Sequence, residues 1–181
     1  MWLRDLLPSS AQFHSSRIMT FGYDSTLVNI RTKDRIHDWA DELLRQIGYV
    51  RTTPEEQSRP IIYVCHSLGG LVGRQAMSRL KNHPNKFGGL KLDQCGLLFL
   101  STPHSGTTEA DWNDFLSSVF ELTFGVRSHE IVDQLRSFNP ASVDSEDDFS
   151  AMERVPPMYC LVEGEKTKIA GKARTVGAQS W

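Results

Sequence analysis

Two segments of the chain repeat apolar residues at the spacing of an α-helix. These are DRIHDWADELLRQI, residues 34–47, and LVGRQAMSRL, residues 71–80. In both, apolar side chains return every three or four positions and so share one face of a helix. In the first segment they are Ile36, Trp39, Ala40, Leu43, Leu44 and Ile47. The spacing predicts two amphipathic helices, the second of which ends at NHPN.

Short continuous apolar runs lie between these helices and predict strands. IIYVC at 61–65 is too short for a helix and too continuous for a half-exposed strand, so we expect a central parallel strand. CGLLFL at 95–100 and PMYCLVEG at 157–164 have the same character, and RIMTFGY at 17–23 indicates a strand that enters a loop. Because parallel strands need helical crossovers, the alternation predicts an α/β fold with a mostly parallel sheet flanked by helices.

The second half of the chain has a weaker pattern. Thr108 is a plausible start for a helix over 109–122, and a further helix is expected over 129–138. An acidic, serine-rich surface loop over 139–150 and a weakly patterned tail over 164–181 complete the chain. Its 181 residues fit one domain, or one piece of one.

Composition excludes several classes of function. A formal net charge of -2 offers no general attraction to nucleic acid, and the longest apolar runs are far shorter than the ~20 residues of a membrane span. No cysteine has the spacing of a metal site, and no pattern requires a cofactor, so we expect neither. The odd number of cysteines favours reduced thiols in the core. They are Cys65, Cys95 and Cys160.

Ser67 is the candidate for chemistry. It follows a predicted strand and precedes a predicted helix, which is where the G-x-S-x-G nucleophile elbow of hydrolases lies. Cys65 and Gly69 fill the two positions that must be small, with Cys65 in place of the usual glycine. The backbone N–H of Leu68 would face a developing oxyanion. Alternatively, Ser67 only caps the helix and the glycines only relieve crowding.

Four stretches in this order resemble a known family. RIMTFGYDS, RPIIYVCHSLGGLVGRQAM, GLLFLSTPHSGT and CLVEGEKTKI are similar to lipase-like α/β hydrolases. These include the serine active site containing protein, the PGAP-type inositol-deacylases and the DUF676 group, and the greatest likeness is to hydrolase domains of fungal NACHT or ankyrin-repeat proteins. The resemblance implies that Ser67 is the acyl-accepting nucleophile, that the substrate is an ester or lipid, and that a longer parent carries linked downstream domains.

Location in the cell is left open by the sequence. The chain carries no address signal, so an intracellular, cytoplasmic location is the default expectation. The resemblance suggests an association with mitochondrial or endoplasmic reticulum membranes.

The partners of Ser67 are harder to assign. Glu163 lies at the end of the last clear strand, where such hydrolases place their acid, although a plain surface glutamate is an equal alternative. His104 precedes that acid, against the usual order of the fold, and His66 points away from its neighbour Ser67. The remaining histidines fall in segments predicted to be solvated. They are His14, His37, His83 and His129.

No histidine follows Glu163, and no His-Gly oxyanion turn precedes the first predicted strand. We therefore expect a fold that is incomplete at both ends and a chain with weak or no activity as given. Two explanations compete. The chain is a fragment of a serine hydrolase, which we favour, or it is a degenerate hydrolase fold kept as a non-catalytic interaction or signalling module.

Overall fold

The computed structural model describes residues 5, 7–23, 32–102, 152–161, 167–169 and 172–174. The helices are α1 (Thr32–Tyr49), α2 (Pro54–Ser58) and α3 (Gly69–Asn82). The strands are β1 (Ile61–His66), β2 (Cys95–Leu100), β3 (Met158–Leu161), β4 (Thr167–Ile169) and β5 (Lys172–Arg174). Short 3-10 turns occupy Leu7–Ser9 and Leu92–Gln94.

A parallel sheet in the order β1-β2-β3 confirms the predicted α/β class. Ile61 pairs with Cys95 at the start of β1, and Leu97 pairs with Met158 at the start of β3. Helix α3 connects β1 to β2, as a parallel pair requires. All three strands therefore have their carboxyl ends at the same edge of the sheet.

The core lies where α3 packs against the sheet on one side and α1 on the other. Helix α3 is buried along most of its length, from Gly70 to Ser78 and again at Leu80. Helix α1 contributes an apolar face with the predicted helical spacing, because Ile36, Ala40 and Leu44 are all fully buried. Both helices predicted from periodicity are confirmed, each a few residues longer than expected.

The central position predicted for the strand at 61–65 is not found among the described strands. Along β1, buried and exposed side chains alternate, and Ile62 is 63% exposed. Within the described sheet β1 is an edge strand, and β2 is the central one. Apolar side chains on both faces of this strand suggested that both faces are covered, but α3 covers only the face that carries Tyr63 and Cys65.

Residues 17–23, predicted to be a strand, do not form one. These residues form no ladder with any described strand, and residues 17–20 are exposed. A run of β-favouring residues becomes a strand only when a neighbouring backbone completes its hydrogen bonds, and none of the described residues provides that neighbour.

A short helix and a short pair of strands were not predicted. Helix α2 begins with a capping box, in which the Thr53 hydroxyl accepts from Glu56 N–H and the Glu56 carboxylate accepts from Thr53 N–H. The tail predicted to be weakly patterned contains an antiparallel pair, β4 with β5, in which Ile169 faces Lys172. Two residues connect these strands.

Several expectations fall outside the described residues. They are the helices over 109–122 and 129–138 and the acidic loop over 139–150. Within the described part, no helix combines the length and apolarity that crossing a bilayer demands. None of the three cysteines forms a disulfide, and Cys65 and Cys95 are buried, in agreement with reduced core thiols.

Candidate active site

Ser67 lies directly between the last residue of β1 and the start of α3. Its φ of 53° places it in the left-handed region, although it is not a glycine. That conformation costs an L-residue roughly 1–2 kcal/mol, so the surroundings must hold it in place. The side chain is only 5% exposed. A strained, buried serine thus occupies the sharp corner between strand and helix.

The backbone of Ser67 is tied to the next strand. Its N–H donates to the carbonyl of Leu100, the last residue of β2, with an N···O distance of 3.0 Å. Its carbonyl accepts from Gly70 N–H at 2.9 Å and from the Thr102 hydroxyl at 3.2 Å. Both sides of the strained residue are therefore fixed by hydrogen bonds.

The start of α3 faces the same corner. Leu68 and Gly69 N–H donate to no backbone acceptor among the described residues, as is common in the first turn of a helix. The Ser67 hydroxyl oxygen is buried and has no hydrogen-bond partner there. N–H groups at the positive end of a 14-residue helix can stabilise negative charge that develops beside the hydroxyl.

Helix α3 packs most tightly against its neighbours at Gly70 and Gly73, not at Gly69, where the motif requires a small residue. A Cβ added to Gly69 would meet only the Tyr23 hydroxyl, at 3.9 Å. At Gly70 it would collide with Thr102, whose Cβ would be 2.7 Å away, with Oγ1 and Cγ2 nearer still. At Gly73 it would lie 2.7 Å from the Cys65 sulfur. Cys65 is thus accommodated by a glycine one turn into the helix.

Tyr23 was not predicted from the sequence as part of this corner. Its ring packs against Trp39, with centroids 4.5 Å apart, and its hydroxyl approaches Gly69. Burial, together with the charge that a Cys65 thiolate would carry, raises the pKa of Tyr23 to about 12. The hydroxyl therefore stays protonated at neutral pH. The one signal in the sequence is an aromatic residue at the end of an apolar segment, which is too general to identify it.

The described histidines do not reach the Ser67 hydroxyl. His66 is exposed, whereas its neighbour Ser67 is buried, as expected for diverging side chains. His37, predicted to be solvated, is instead half-buried between α1 and α3, with Nδ1 2.9 Å from Gln75 Nε2. His14 and His83 are exposed. Outside the described residues lie His104, His129 and Glu163.

Cys65 lies two residues before Ser67, and Cys95 lies at the far end of β2. The described residues contain no group of three or more histidine, cysteine or acidic side chains arranged to hold a metal ion. Burial raises the pKa of Cys65 to about 12 and that of Cys95 to about 11. Both thiols are therefore protonated at neutral pH and make poor ligands or nucleophiles.

Comparison with known protein families gives one match. The family model described as "Putative serine esterase (DUF676)" matches residues 5–137. The matched region includes Ser67 and Thr102 but not Glu163. Searches of curated proteins and of solved structures found no match. The link to NACHT or ankyrin-repeat proteins stays a prediction. Since the family model covers most of the chain, this protein belongs to the DUF676 family of serine esterases.

Proposed function

We propose that the protein hydrolyses ester bonds, with Ser67 as the nucleophile. The observation that carries the proposal is the Ser67 hydroxyl, which is buried and has no hydrogen-bond partner among the described residues, at a left-handed residue two positions before α3. Attack of its oxygen on an ester carbonyl would produce an oxyanion beside Leu68 N–H, which has no other backbone acceptor among the described residues. Collapse of that intermediate expels the alcohol and leaves an acyl-serine, which water then hydrolyses.

The proposal also needs a base and an acid. A serine hydroxyl is a weak nucleophile until a base takes its proton, and the base must come within ~2.6 to 3.2 Å of the oxygen. Among the described residues no histidine bonds the Ser67 hydroxyl, so we propose that the base comes from outside them. We assign Glu163 as the acid that orients it, because Glu163 follows β3 by two residues in the sequence. Among ester substrates, we propose that the protein acts on lipid esters.

The direct test is covalent labelling by a fluorophosphonate probe. The native protein, expressed from its complete reading frame, should be labelled at Ser67, and Ser67→Ala should not be labelled. Ser78→Ala is the matched control, because Ser78 is 1% exposed, lies on the same helix and has a hydroxyl without a hydrogen-bond partner among the described residues. It should label like the wild type. Equal labelling of wild type and Ser67→Ala would rule out Ser67 as the nucleophile.

A second candidate function is a non-catalytic interaction module. The observation in its favour is that, among the described residues, no histidine or carboxylate bonds the Ser67 hydroxyl. This candidate predicts neither labelling nor turnover of activated esters by the native protein. Peptide mapping of the labelled protein decides between the two, because a modified peptide that contains Ser67 is incompatible with a module that has lost its chemistry.

A further inference from the structure

Thr102 occupies a special place beside the candidate nucleophile. It comes two residues after the end of β2, is 1% exposed, and donates its hydroxyl to the Ser67 carbonyl at 3.2 Å. The preceding residue, Ser101, has a φ of 48°, so the chain turns sharply before Thr102. The buried Thr102 hydroxyl, just beyond the end of β2, therefore bonds to the backbone of Ser67, just beyond the end of β1.

The energetic role of this bond follows from the strain at Ser67. A non-glycine residue stays in the left-handed region only when its neighbours over-determine the conformation. The Ser67 N–H is held by Leu100, which restrains one side of the residue. The carbonyl is restrained by Gly70 N–H and by Thr102. Of these three bonds, the one from Thr102 is the only one made by a side chain, so substitution can remove it selectively.

We propose that Thr102 is a positioning residue, whose hydroxyl fixes the Ser67 backbone so that the Ser67 oxygen points at the reacting carbonyl. The proposal rests on the proposed function in so far as it concerns rate. Without the donor, Ser67 can relax towards ordinary backbone angles, and its oxygen moves away from the attack position. Misplacement of a reacting group by about 1 Å can cost a factor of about 100 in rate.

Two substitutions separate the hydroxyl of Thr102 from its packing against Gly70. Thr102→Val keeps the branched shape and removes the donor. Thr102→Ser keeps the donor and removes the methyl group. Both variants are tested by fluorophosphonate labelling of the native protein. The experiment determines the binding constant of the probe and the maximal rate of labelling separately. We expect Thr102→Val to lower the maximal rate about 10- to 100-fold with unchanged probe affinity, and Thr102→Ser to label nearly as the wild type.

Each outcome bears on the proposal. A Thr102→Val protein that labels at the wild-type rate would overturn it, and so would a Thr102→Ser protein that is as slow as Thr102→Val. If the wild type is not labelled at all, the proposed function fails, and the backbone is judged separately by the ¹³Cα and ¹³Cβ chemical shifts of Ser67. Shifts that move in Thr102→Val but not in Thr102→Ser support positioning, whereas unchanged shifts in both refute it.

Discussion

Substitution of Gly70 by alanine should destabilise the protein, although alanine is the better helix former. The new Cβ would lie 2.7 Å from the Thr102 Cβ and closer to its Oγ1 and Cγ2, well inside normal contact distances. Thr102 is short, fully buried and hydrogen-bonded to Ser67, so it has no flexible end that can move aside. Such overpacking typically costs ~1–3 kcal/mol, against which the helix preference of alanine returns at most about 1 kcal/mol. Three Thr102 atoms within 2.7 Å of the new Cβ put the cost at the upper end of this range, so we expect a net loss of about 2 kcal/mol.

Gly69→Ala is the matched control, one residue earlier in the same helix. Its Cβ would meet only the Tyr23 hydroxyl at 3.9 Å, an ordinary contact. This variant should be as stable as the wild type or more stable by up to about 1 kcal/mol. In thermal unfolding followed by circular dichroism, Gly70→Ala should melt about 5 °C lower, given ~2–4 °C per kcal/mol for a chain of this size. A Gly70→Ala protein that melts with or above Gly69→Ala would refute the packing argument.

Two further predictions concern stability. Gly73→Ala brings a Cβ within 2.7 Å of the Cys65 sulfur. In urea unfolding, this substitution should therefore lower the free energy of unfolding less in a Cys65→Gly background than in the wild type. Additive losses of free energy would contradict the contact. Hydrogen bonds from Arg79 and then Lys86 lower the pKa of Asp41 from 3.8 to about 2. A depressed carboxylate pKa adds stability above pH ~4 that disappears as the pH falls towards 2. Because solvent screens these surface ion pairs, Asp41→Asn should lose about 1 kcal/mol at pH 7 and show a flatter acid profile. Parallel acid profiles for the two proteins would exclude that role.

The fold class was predictable because the two signals behind it are local. Helical spacing in 34–47 and 71–80 and continuous apolar runs around Val64 and Leu98 each depend on a few neighbouring residues. The exposure of β1 was not predictable on the same basis. Apolarity is the same on both faces of IIYVC, and only the placement of α3 decides which face is covered. The pair β4 and β5 lacks clear alternation, so no period-2 signal marked it.

The candidate site was predictable only in part, for a similar reason. The order of strand, serine, glycines and helix is local, and it made Ser67, Leu68 and Gly69 candidates from the sequence. Thr102 lies 35 residues from Ser67, and its hydrogen bond depends on the register between β1 and β2. No spacing rule encodes that distance. In the segment TPHSG, residues 102–106, the sequence drew attention to His104, whereas the described contact belongs to Thr102.

The strand ends explain why such contacts concentrate at one place. Ser67 N–H bonds to Leu100 at the end of β2, and Ser101 N–H bonds to Leu161 at the end of β3. Each connection begins with a serine in the left-handed region, so the chain turns at the carboxyl end of two adjacent parallel strands in the same manner. Ligand sites of α/β proteins lie beyond this edge because parallel strands deliver their following loops to it together. We propose that Glu163, which follows β3 in the sequence, acts at this same edge of the sheet. The register of the sheet therefore determines which loops can reach Ser67, and a base supplied by any other part of the native protein must approach from the same edge.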